Sequence, residues 1–335
     1  MKEYCKRIIL GVLLLSINVS LNAQVEQHAG YMDYHVHLQD SSTVQLGYRM
    51  LKAIGQAPTK IDSIVLDADS IIERLDKSKF SNAWILSNAY WFGSPLTPIE
   101  NEYEEVMKEN DWTADQAARY PNRLYAFMSV NPLKPYALKE IERCINSKRF
   151  TGLKLHFANS KVNLFDKAQI IQLQKIFTLV NKNHWPMLIH FRSGQKWDGE
   201  ANTKIFLNQL MSYARNTKVV IAHMAGWGGY DKPMHAALAL FASYIHQNNS
   251  YGKNLYLEIS GVLPLSLNED YKPFKNKSDW NPVTALKSRI TAIGIDHILF
   301  GTDWPLIDID PYLQLLDTTL SKAITQQILS NKISF

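Results

Sequence analysis

Eight short apolar runs recur along the chain, and each is followed by a segment with the spacing of an amphipathic helix. The predicted strands cover residues 33–37, 83–86, 124–130, 150–156, 186–190, 218–223, 254–260 and 297–301. Near-continuous apolar runs indicate strands that are buried on both faces, as in parallel sheets. Alternation of such strands with helices indicates βαβ units with short connections, and so predicts an α/β fold.

The number of units favours a closed sheet over an open one. Eight units in about 300 residues match a (β/α)8 TIM barrel. An open, doubly wound sheet is expected to carry a glycine-rich phosphate-binding turn after its first strand. Here the first strand ends at His37 and leads into Leu38, Gln39 and Asp40 instead. We therefore predict a single-domain TIM barrel over residues 24–335, with its active site at the C-terminal ends of the strands.

The first 23 residues have the three parts of a secretory signal peptide. A basic start precedes an apolar stretch over residues 8–15, and Ala23 supplies the small residue at which cleavage is predicted. An uncleaved anchor is the less favoured alternative, because the apolar stretch is too short to span a bilayer. We therefore expect export, to a periplasm, of a protein without a membrane span after cleavage.

Composition narrows the range of partners. The formal charge of +5 falls to about +3 without the leader, and no cluster of Lys and Arg is interleaved with aromatic residues, so no nucleic-acid partner is expected. Of the two cysteines, Cys5 and Cys144, the first lies in the leader, which leaves no intrachain disulfide. We expect a small-molecule substrate, with a carboxylate among the candidates, and the oligomeric state stays open between a monomer and a homodimer.

Five of the predicted strands end in side chains that bind metals or transfer protons. A single histidine at the end of a buried strand is more often structural, but five such ends are hard to attribute to chance. The residues are His35 and His37 on the first strand, Lys154 and His156 on the fourth, His190 with Arg192 after the fifth, His223 on the sixth, and Asp303 with Trp304 after the eighth. Because barrel strands converge at their C-terminal ends, these side chains are expected to face one site.

The motifs at these ends resemble those of a known family. In chain order they read Asp-x-His-x-His, Gly-x-Lys-x-His, Ile-His-Phe-Arg, Ala-His-Met-Ala-Gly and Phe-Gly-Thr-Asp-Trp-Pro. This set resembles the amidohydrolase superfamily, and more narrowly its amidohydrolase-related (amidohydrolase 2) group of metal-dependent hydrolases and decarboxylases. The resemblance extends from about residue 31 onward. It implies a distorted TIM barrel with one divalent metal, often zinc, at the C-terminal mouth.

The resemblance also implies a role for most of these residues. His35, His37, His190 and Asp303 would bind the metal, and His223 would be the catalytic histidine beside the metal-bound water. Imidazole and carboxylate ligands suit zinc, with manganese as the alternative, and such an ion lowers the pKa of its water to about 7. Asp303 would accept a proton from that water while His223 stabilises the developing oxyanion.

The remaining residues at the strand ends are assigned to substrate binding, and some of them have a second possible role. The planar guanidinium of Arg192 would bind a substrate carboxylate, or else form an ion pair at the barrel rim. Trp304 would contribute to an aromatic wall. Lys154 and His156 would contact the substrate or else support the metal ligands from behind. A second metal bridged by carbamylated Lys154 is the less favoured alternative, because His156 and not Lys154 ends the strand.

The sequence therefore predicts an exported metal-dependent hydrolase that opens a lactone, ester or amide with metal-activated water. The alternative is a non-oxidative decarboxylase of an aromatic or unsaturated carboxylic acid at the same metal site. A non-catalytic binding barrel is disfavoured, because a structural barrel has no need for histidines at so many strand ends.

Overall fold

The computed structural model describes residues 30–194, 196–247, 251–263 and 280–333. The predicted signal peptide lies outside these residues. Within the described ranges, no helix combines the length and the hydropathy that crossing a membrane requires.

Eight parallel strands form one sheet in which the strands follow one another in chain order. They are β1 (Tyr31–Val36), β2 (Phe80–Leu86), β3 (Leu124–Ser129), β4 (Gly152–His156), β5 (Met187–His190), β6 (Val219–Ile221), β7 (Leu255–Glu258) and β8 (Ile298–Leu299). The residues after β8 return to β1, since Phe300 O accepts from Tyr34 N at 3.0 Å and His35 O accepts from Asp303 N at 2.8 Å. The predicted TIM barrel is confirmed, and it is nearly closed.

Helices lie between consecutive strands, and aspartate side chains begin several of them. Those that the described residues contain are α1 (Ser41–Ala53), α2 (Ala68–Lys77), α3 (Ala89–Phe92), α4 (Glu102–Ala118), α5 (Ala137–Ser147), α6 (Lys167–Lys182), α7 (Gly199–Gln209), α8 (Lys232–His246), α9 (Pro282–Ile293), α10 (Ile309–Thr319) and α11 (Lys322–Ser330). Asp67 accepts from Ser70 N at 3.2 Å to cap α2, and Asp231 accepts from Met234 N at 3.0 Å to cap α8. Each cap satisfies a backbone donor that the first turn leaves unpaired.

Alternate strand positions belong to two different apolar clusters. On β2, Ala83 and Ile85 pack with the helices, whereas Trp84 joins a smaller cluster formed among the strands. Within that cluster the rings of Tyr34 and Trp84 meet edge to face at 4.8 Å, and Trp84 stacks on Phe127 at 4.2 Å. The barrel interior is therefore filled by side chains below the site, as expected for eight strands.

The segment between β1 and α2 covers one side of the barrel mouth. It contains α1 and a short 3-10 helix, Ile61–Ser63. The side chain of Gln39 joins the two ends of this segment, since its Nε2 donates to Ile61 O at 2.7 Å and to Ile64 O at 2.6 Å. An antiparallel bridge between the backbones of Gln39 and Leu66 also joins the two ends of the segment. This segment forms a wall beside the strand ends.

Candidate active site

A cavity of about 560 Å³ lies at the C-terminal ends of the strands. Near the strand ends its polar lining residues are His35, His37, Asn88, Lys154, His156, His190, His223 and Asp303, and the wall segment adds Gln39, Gln56, Thr59 and Asp62. Its apolar lining comes largely from the wall segment, with Met50, Leu51 and Ile54, and from Trp91 and Leu306. The structure thus brings residues from all five predicted strand ends to one cavity, and Asp303 is the residue that follows β8.

Three of the predicted ligands form a compact group. His35 Nε2 lies 3.3 Å from His37 Nε2 and 3.2 Å from Asp303 Oδ1, and His37 Nε2 lies 3.6 Å from the same carboxylate oxygen. The ligand atoms of all three residues lie within 4.8 Å of one another. Nitrogen and carboxylate donors at this spacing are the ligands that zinc and manganese accept.

Hydrogen bonds on the far side of each ring fix which nitrogen carries the proton. His37 Nδ1 donates to Leu86 O at 2.8 Å, and His35 Nδ1 lies 2.9 Å from a carboxylate oxygen of Glu258. The carbonyl oxygen of Leu86 only accepts, so Nδ1 of His37 is protonated. The ammonium of Lys154 only donates and lies 3.0 Å from His35 Nε2, so the proton of His35 is also on Nδ1. Neither Nε2 is then a donor, and two lone pairs face each other 3.3 Å apart. Two unprotonated imidazole nitrogens beside a carboxylate oxygen are ligands of a divalent metal, so the residues present fit such an ion.

Burial keeps the histidines of the site neutral. Loss of solvation, with the charge of Lys154 adding to it, lowers the pKa of His37 to about 3. The same loss of solvation lowers the pKa of His35, His156, His190 and His223 well below the usual value. Neutral imidazoles offer lone pairs to a metal without first losing a proton.

Lys154 lies in the buried floor of the cavity. Its Nζ donates to His35 Nε2 at 3.0 Å, and the side chain is 1% exposed. Burial lowers the pKa of Lys154 to about 8, although the charges of Asp303 and Glu258 oppose the effect. A cation is therefore held beside the candidate metal ligands.

His190 lies in the cavity lining but outside the three-residue ligand group. Its ring stacks on that of His156 at 3.9 Å with an interplanar angle of 10°, and His156 in turn stacks on Tyr90 at 4.9 Å. The backbone N of Asn159 donates to His156 Nδ1 at 3.1 Å, so the Nε2 of His156 carries the proton. The predicted metal role of His190 and the predicted substrate role of His156 stay predictions.

His223 and Asp303 both occupy left-handed backbone conformations just after their strands. Their φ angles are 54° and 62°, which non-glycine residues rarely adopt. Such strained residues persist only where surrounding structure holds them, and they concentrate at functional sites. Asp303 is held by its N–H···O bond to His35 and by Trp227, whose Nε1 donates to Asp303 Oδ2 at 3.0 Å. Burial raises the pKa of Asp303, and the charge of Lys154 opposes this.

Two predicted substrate-binding residues lie away from the cavity lining. Arg192 forms an ion pair at 2.7 Å with Asp231 and lies over the ring of Trp197 at 5.7 Å. Trp304 is 5% exposed and packs in the main apolar core, while Leu306 after it lines the cavity. For Arg192 the structure shows the ion pair that the sequence left open as the alternative.

Sequence reasoning missed Glu258 and Ser260 at the end of β7. Glu258 is fully buried and contacts His35, and Ser260 contacts His223. The available signal was an acidic residue inside the otherwise apolar run 254–260, which a buried strand does not carry without a partner.

Comparison with known proteins places the chain in a family. The family model described as amidohydrolase matches residues 85–331, about three quarters of the chain. The chain belongs to the amidohydrolase family. This confirms the family that the motifs resemble, and it makes the chain an enzyme of that superfamily.

Two relatives of this chain have a stated activity. A gamma-resorcylate decarboxylase from Polaromonas sp. is 26% identical over 251 residues, which are 67% of this chain and 73% of that protein. A second gamma-resorcylate decarboxylase, from Rhizobium radiobacter, is 23% identical over 62% of this chain and 67% of its own length. At 26% and 23% identity, these relatives do not by themselves assign a substrate or a reaction to this chain.

Solved structures of this superfamily share the fold. A 5-carboxyvanillate decarboxylase from Sphingomonas paucimobilis has a TM-score of 0.62 at 15% identity and covers 90% of this chain and 96% of its own. A dihydroxybenzoic acid decarboxylase from Polaromonas sp., with bound manganese and the inhibitor 2-nitroresorcinol, has a TM-score of 0.60 at 20% identity, with 90% and 94% covered. A probable 2-pyrone-4,6-dicarboxylic acid hydrolase from Acinetobacter baumannii has a TM-score of 0.56 at 15% identity, with 90% and 96% covered. The shared fold therefore hosts both reaction classes.

Proposed function

We propose that the chain is a metal-dependent, non-oxidative decarboxylase of an aromatic carboxylic acid. The position of Lys154 carries this proposal, because its ammonium lies 3.0 Å from His35 Nε2, beside the metal ligands, in a cavity lined by Tyr90 and Trp91. Two adjacent positive charges suit a carboxylate, and aromatic walls suit a ring. The second charge favours a substrate that bears a carboxylate over an uncharged lactone, ester or amide. The predicted hydrolase therefore receives less support than its alternative.

The relatives support the same choice. The two curated relatives described above are named gamma-resorcylate decarboxylases, and two of the three structures are named decarboxylases of aromatic acids. We propose a hydroxylated benzoate as the substrate, and 2,6-dihydroxybenzoate is the first compound to test.

For the metal we propose His35, His37 and Asp303 as ligands, with His190 as the further ligand that the family resemblance implies. When bound, a divalent cation acts there as a Lewis acid that binds and polarises substrate oxygen atoms. We propose zinc or manganese, since both accept imidazole and carboxylate ligands.

The protein's own groups carry the proton transfers in this proposal. Decarboxylation places a proton on the ring carbon that bears the carboxyl group, and the C–C bonding pair returns to the ring as carbon dioxide leaves. Delivery of that proton is assigned to Asp303, whose Oδ1 lies in the ligand group, 3.2 Å from His35 Nε2, and whose Oδ2 accepts from Trp227 Nε1. His223 has its proton on Nδ1, which lies 3.1 Å from Ser260 O, so its Nε2 accepts the proton of a ring hydroxyl. Lys154 holds the carboxylate in the floor of the cavity.

The test is turnover by metal-loaded protein with 2,6-dihydroxybenzoate, followed by release of carbon dioxide and appearance of the phenol. The same preparation is offered lactones, esters and amides. Decarboxylation that Asp303→Asn lowers by about 10²-fold or more supports the proposal. Hydrolysis of a lactone without any release of carbon dioxide would reject it and restore the hydrolase.

Metal content is measured on the same protein. Elemental analysis is expected to give about one equivalent of zinc or manganese in the wild type, and less in His190→Ala. Two equivalents would instead support the carbamylated Lys154 alternative.

We also propose that the protein is exported to the periplasm, on the strength of the leader pattern alone. The measurement is cell fractionation combined with the mass of the N-terminal peptide. A periplasmic protein that begins at Gln24 supports the proposal, and a cytoplasmic protein that retains Met1 contradicts it.

A further inference from the structure

A single buried carboxyl group contacts both halves of the candidate site. Glu258, at the end of β7, has no exposed surface, and its Oε2 lies 2.9 Å from His35 Nδ1. The same oxygen accepts from Ser260 Oγ at 2.9 Å and from the backbone N of His223 at 3.4 Å. Glu258 also accepts from the backbone N of Ser260 through Oε1. Its carboxyl oxygens therefore accept hydrogen bonds both from His35, a candidate metal ligand, and from His223 and Ser260.

Ser260 extends this contact to the ring of His223. Ser260 Oγ lies 2.8 Å from His223 Nδ1, and Ser260 O lies 3.1 Å from the same nitrogen. The carbonyl only accepts, so Nδ1 is the donor, and the hydroxyl that accepts from it can still donate to Glu258. The hydrogen bonds run from His223 through Ser260 to Glu258, and His35 donates to Glu258 from the other side.

The backbone of the neighbouring strand fixes the position of the carboxyl group. A Cβ atom on Gly301, just after β8, would lie 2.3 Å from Glu258 Oε1, which is closer than atoms pack. The absence of a side chain at Gly301 therefore makes the space that this carboxyl group occupies. A carboxyl group packed against backbone has little freedom to swing away from His35.

We propose that Glu258 and Ser260 are positioning residues that hold His35 and His223 with Nδ1 protonated and Nε2 directed to the site. Glu258 acts on metal affinity through His35, and Ser260 acts on turnover through His223; the second part rests on the proposed function. Partners of this kind, beyond the ligands themselves, fix the tautomer and orientation of a metal-binding imidazole.

The test of the first part is Mn²⁺ binding to metal-free, full-length protein, measured by isothermal titration. Glu258→Leu keeps the bulk but removes the acceptors, and is expected to raise the Kd by about 10- to 100-fold. Glu258→Gln keeps one carbonyl oxygen for His35 Nδ1 and is expected to restore most of the affinity. Glu140→Gln is the matched control, since Glu140 is also fully buried but pairs with Arg143 on α5, and its Kd is expected to equal that of the wild type.

Two results would overturn the first part. One is a folded Glu258→Leu protein that binds Mn²⁺ as tightly as the wild type. The other is a wild type that binds two ions and a Glu258→Leu variant that binds one, because ligand atoms of His35, His223 and Glu258 also lie within 4.8 Å of one another. Glu258 would then be a ligand. If Glu258→Leu does not fold, the Glu258→Gln variant decides between the two roles. An amide oxygen accepts well from the N–H of His35 but binds a cation poorly. Glu258→Gln therefore keeps its affinity for Mn²⁺ only if Glu258 positions His35.

The second part is tested with Ser260→Ala. Its Kd for Mn²⁺ is expected to stay within about twofold of the wild type while kcat falls about 10-fold and KM is unchanged, because the ring of His223 loses one of its two hydrogen bonds. Unchanged kcat would reject the role of Ser260. If no acid is decarboxylated by the wild type, the proposed function fails, and the Mn²⁺ measurements on Glu258 still stand.

Discussion

At the scale of single residues, the guanidinium of Arg192 has two possible roles, binding a substrate carboxylate or forming an ion pair at the barrel rim. The ion pair with Asp231 joins the loop after β5 to the cap of α8, because Asp231 also accepts from Met234 N. Both side chains are partly exposed, at 19% and 37%, so solvent screens the pair.

We therefore expect Arg192→Leu to lower the free energy of unfolding by about 0.5–1 kcal/mol and to leave KM within about twofold. Asp231→Asn keeps the cap and removes the charge, so it should have a similar effect on stability. The measurements are urea unfolding and steady-state kinetics. A tenfold rise in KM without loss of stability would show that Arg192 binds the substrate carboxylate.

Glu109 on α4 makes a second prediction at this scale. It is buried and accepts from Asn88 N at 3.1 Å and from Thr43 Oγ1 at 3.1 Å. Burial raises its pKa from 4.5 to about 8, so the folded protein holds this proton more tightly than the unfolded chain does. The contribution of Glu109 to stability is thus complete below about pH 4.5 and is lost as pH rises to about 8.

Glu109→Gln removes this titration. We expect the variant to gain stability relative to the wild type as the pH is raised from 5 to 9, because its amide stays neutral throughout. Thermal unfolding at several pH values gives the comparison. A difference in Tm between the two proteins that is constant over this range would contradict the prediction.

At the scale of elements, the wall segment after β1 shapes the cavity. Gln39 joins its ends with two side-chain hydrogen bonds, and Met50, Leu51 and Ile54 on and just after α1 face the cavity. Close contact also holds α1 at its middle, since a Cβ on Gly47 would lie 3.1 Å from the ring of Trp91. The apolar wall is therefore positioned by a few specific contacts.

Gln39→Leu keeps the bulk of the side chain and removes both donors. We expect KM for an aromatic acid to rise about 5- to 30-fold with little change in kcat, because two carbonyl oxygens lose their partner and the wall loosens. Gln174→Leu on the outside of α6 removes a comparable glutamine bond, to Gln209 O, and should leave KM unchanged. Equal effects of the two substitutions would show that the wall does not depend on Gln39.

At the scale of the whole molecule, the candidate metal ligands lie where the barrel closes. His35 and His37 belong to β1 and the residue after it, and Asp303 follows β8. These strands meet through backbone bonds such as His37 N to Trp304 O at 2.7 Å and through Thr302, whose Oγ1 donates to Asp33 at 2.6 Å. A bound cation would add a further link between the two ends of the sheet.

We therefore expect Mn²⁺ or Zn²⁺ to raise Tm by a few degrees, since an ion at 100 times its Kd stabilises the folded state by about 2.7 kcal/mol. Chelator should reverse the shift, and His37→Ala should lack it. Differential scanning calorimetry with and without metal checks this. A shift of the same size in His37→Ala would place the ion elsewhere.

Most of the fold follows from local patterns. The apolar runs predicted all eight strands, because strands buried on both faces are apolar at nearly every position and stand out in the sequence. Their ends also predicted most of the polar side chains that reach the cavity from the strand ends, since parallel strands in a barrel present all their C-terminal ends at one mouth. Arg192 and Trp304 were expected there as well, but they lie away from the cavity lining. The metal, substrate and catalytic roles assigned to those side chains are predictions that the proposed measurements test.

The sequence by itself determined the barrel, the family and the group of histidines at its mouth. Only the tertiary structure brought Glu258 to His35, Lys154 to the same ring and Arg192 to Asp231, contacts that join residues 223, 119 and 39 positions apart. The period of a strand states which residues share a face, but the stagger of the strands and the side-chain rotamers set the distances across the barrel. Those distances decide which groups form hydrogen bonds, and so which of the polar residues act together.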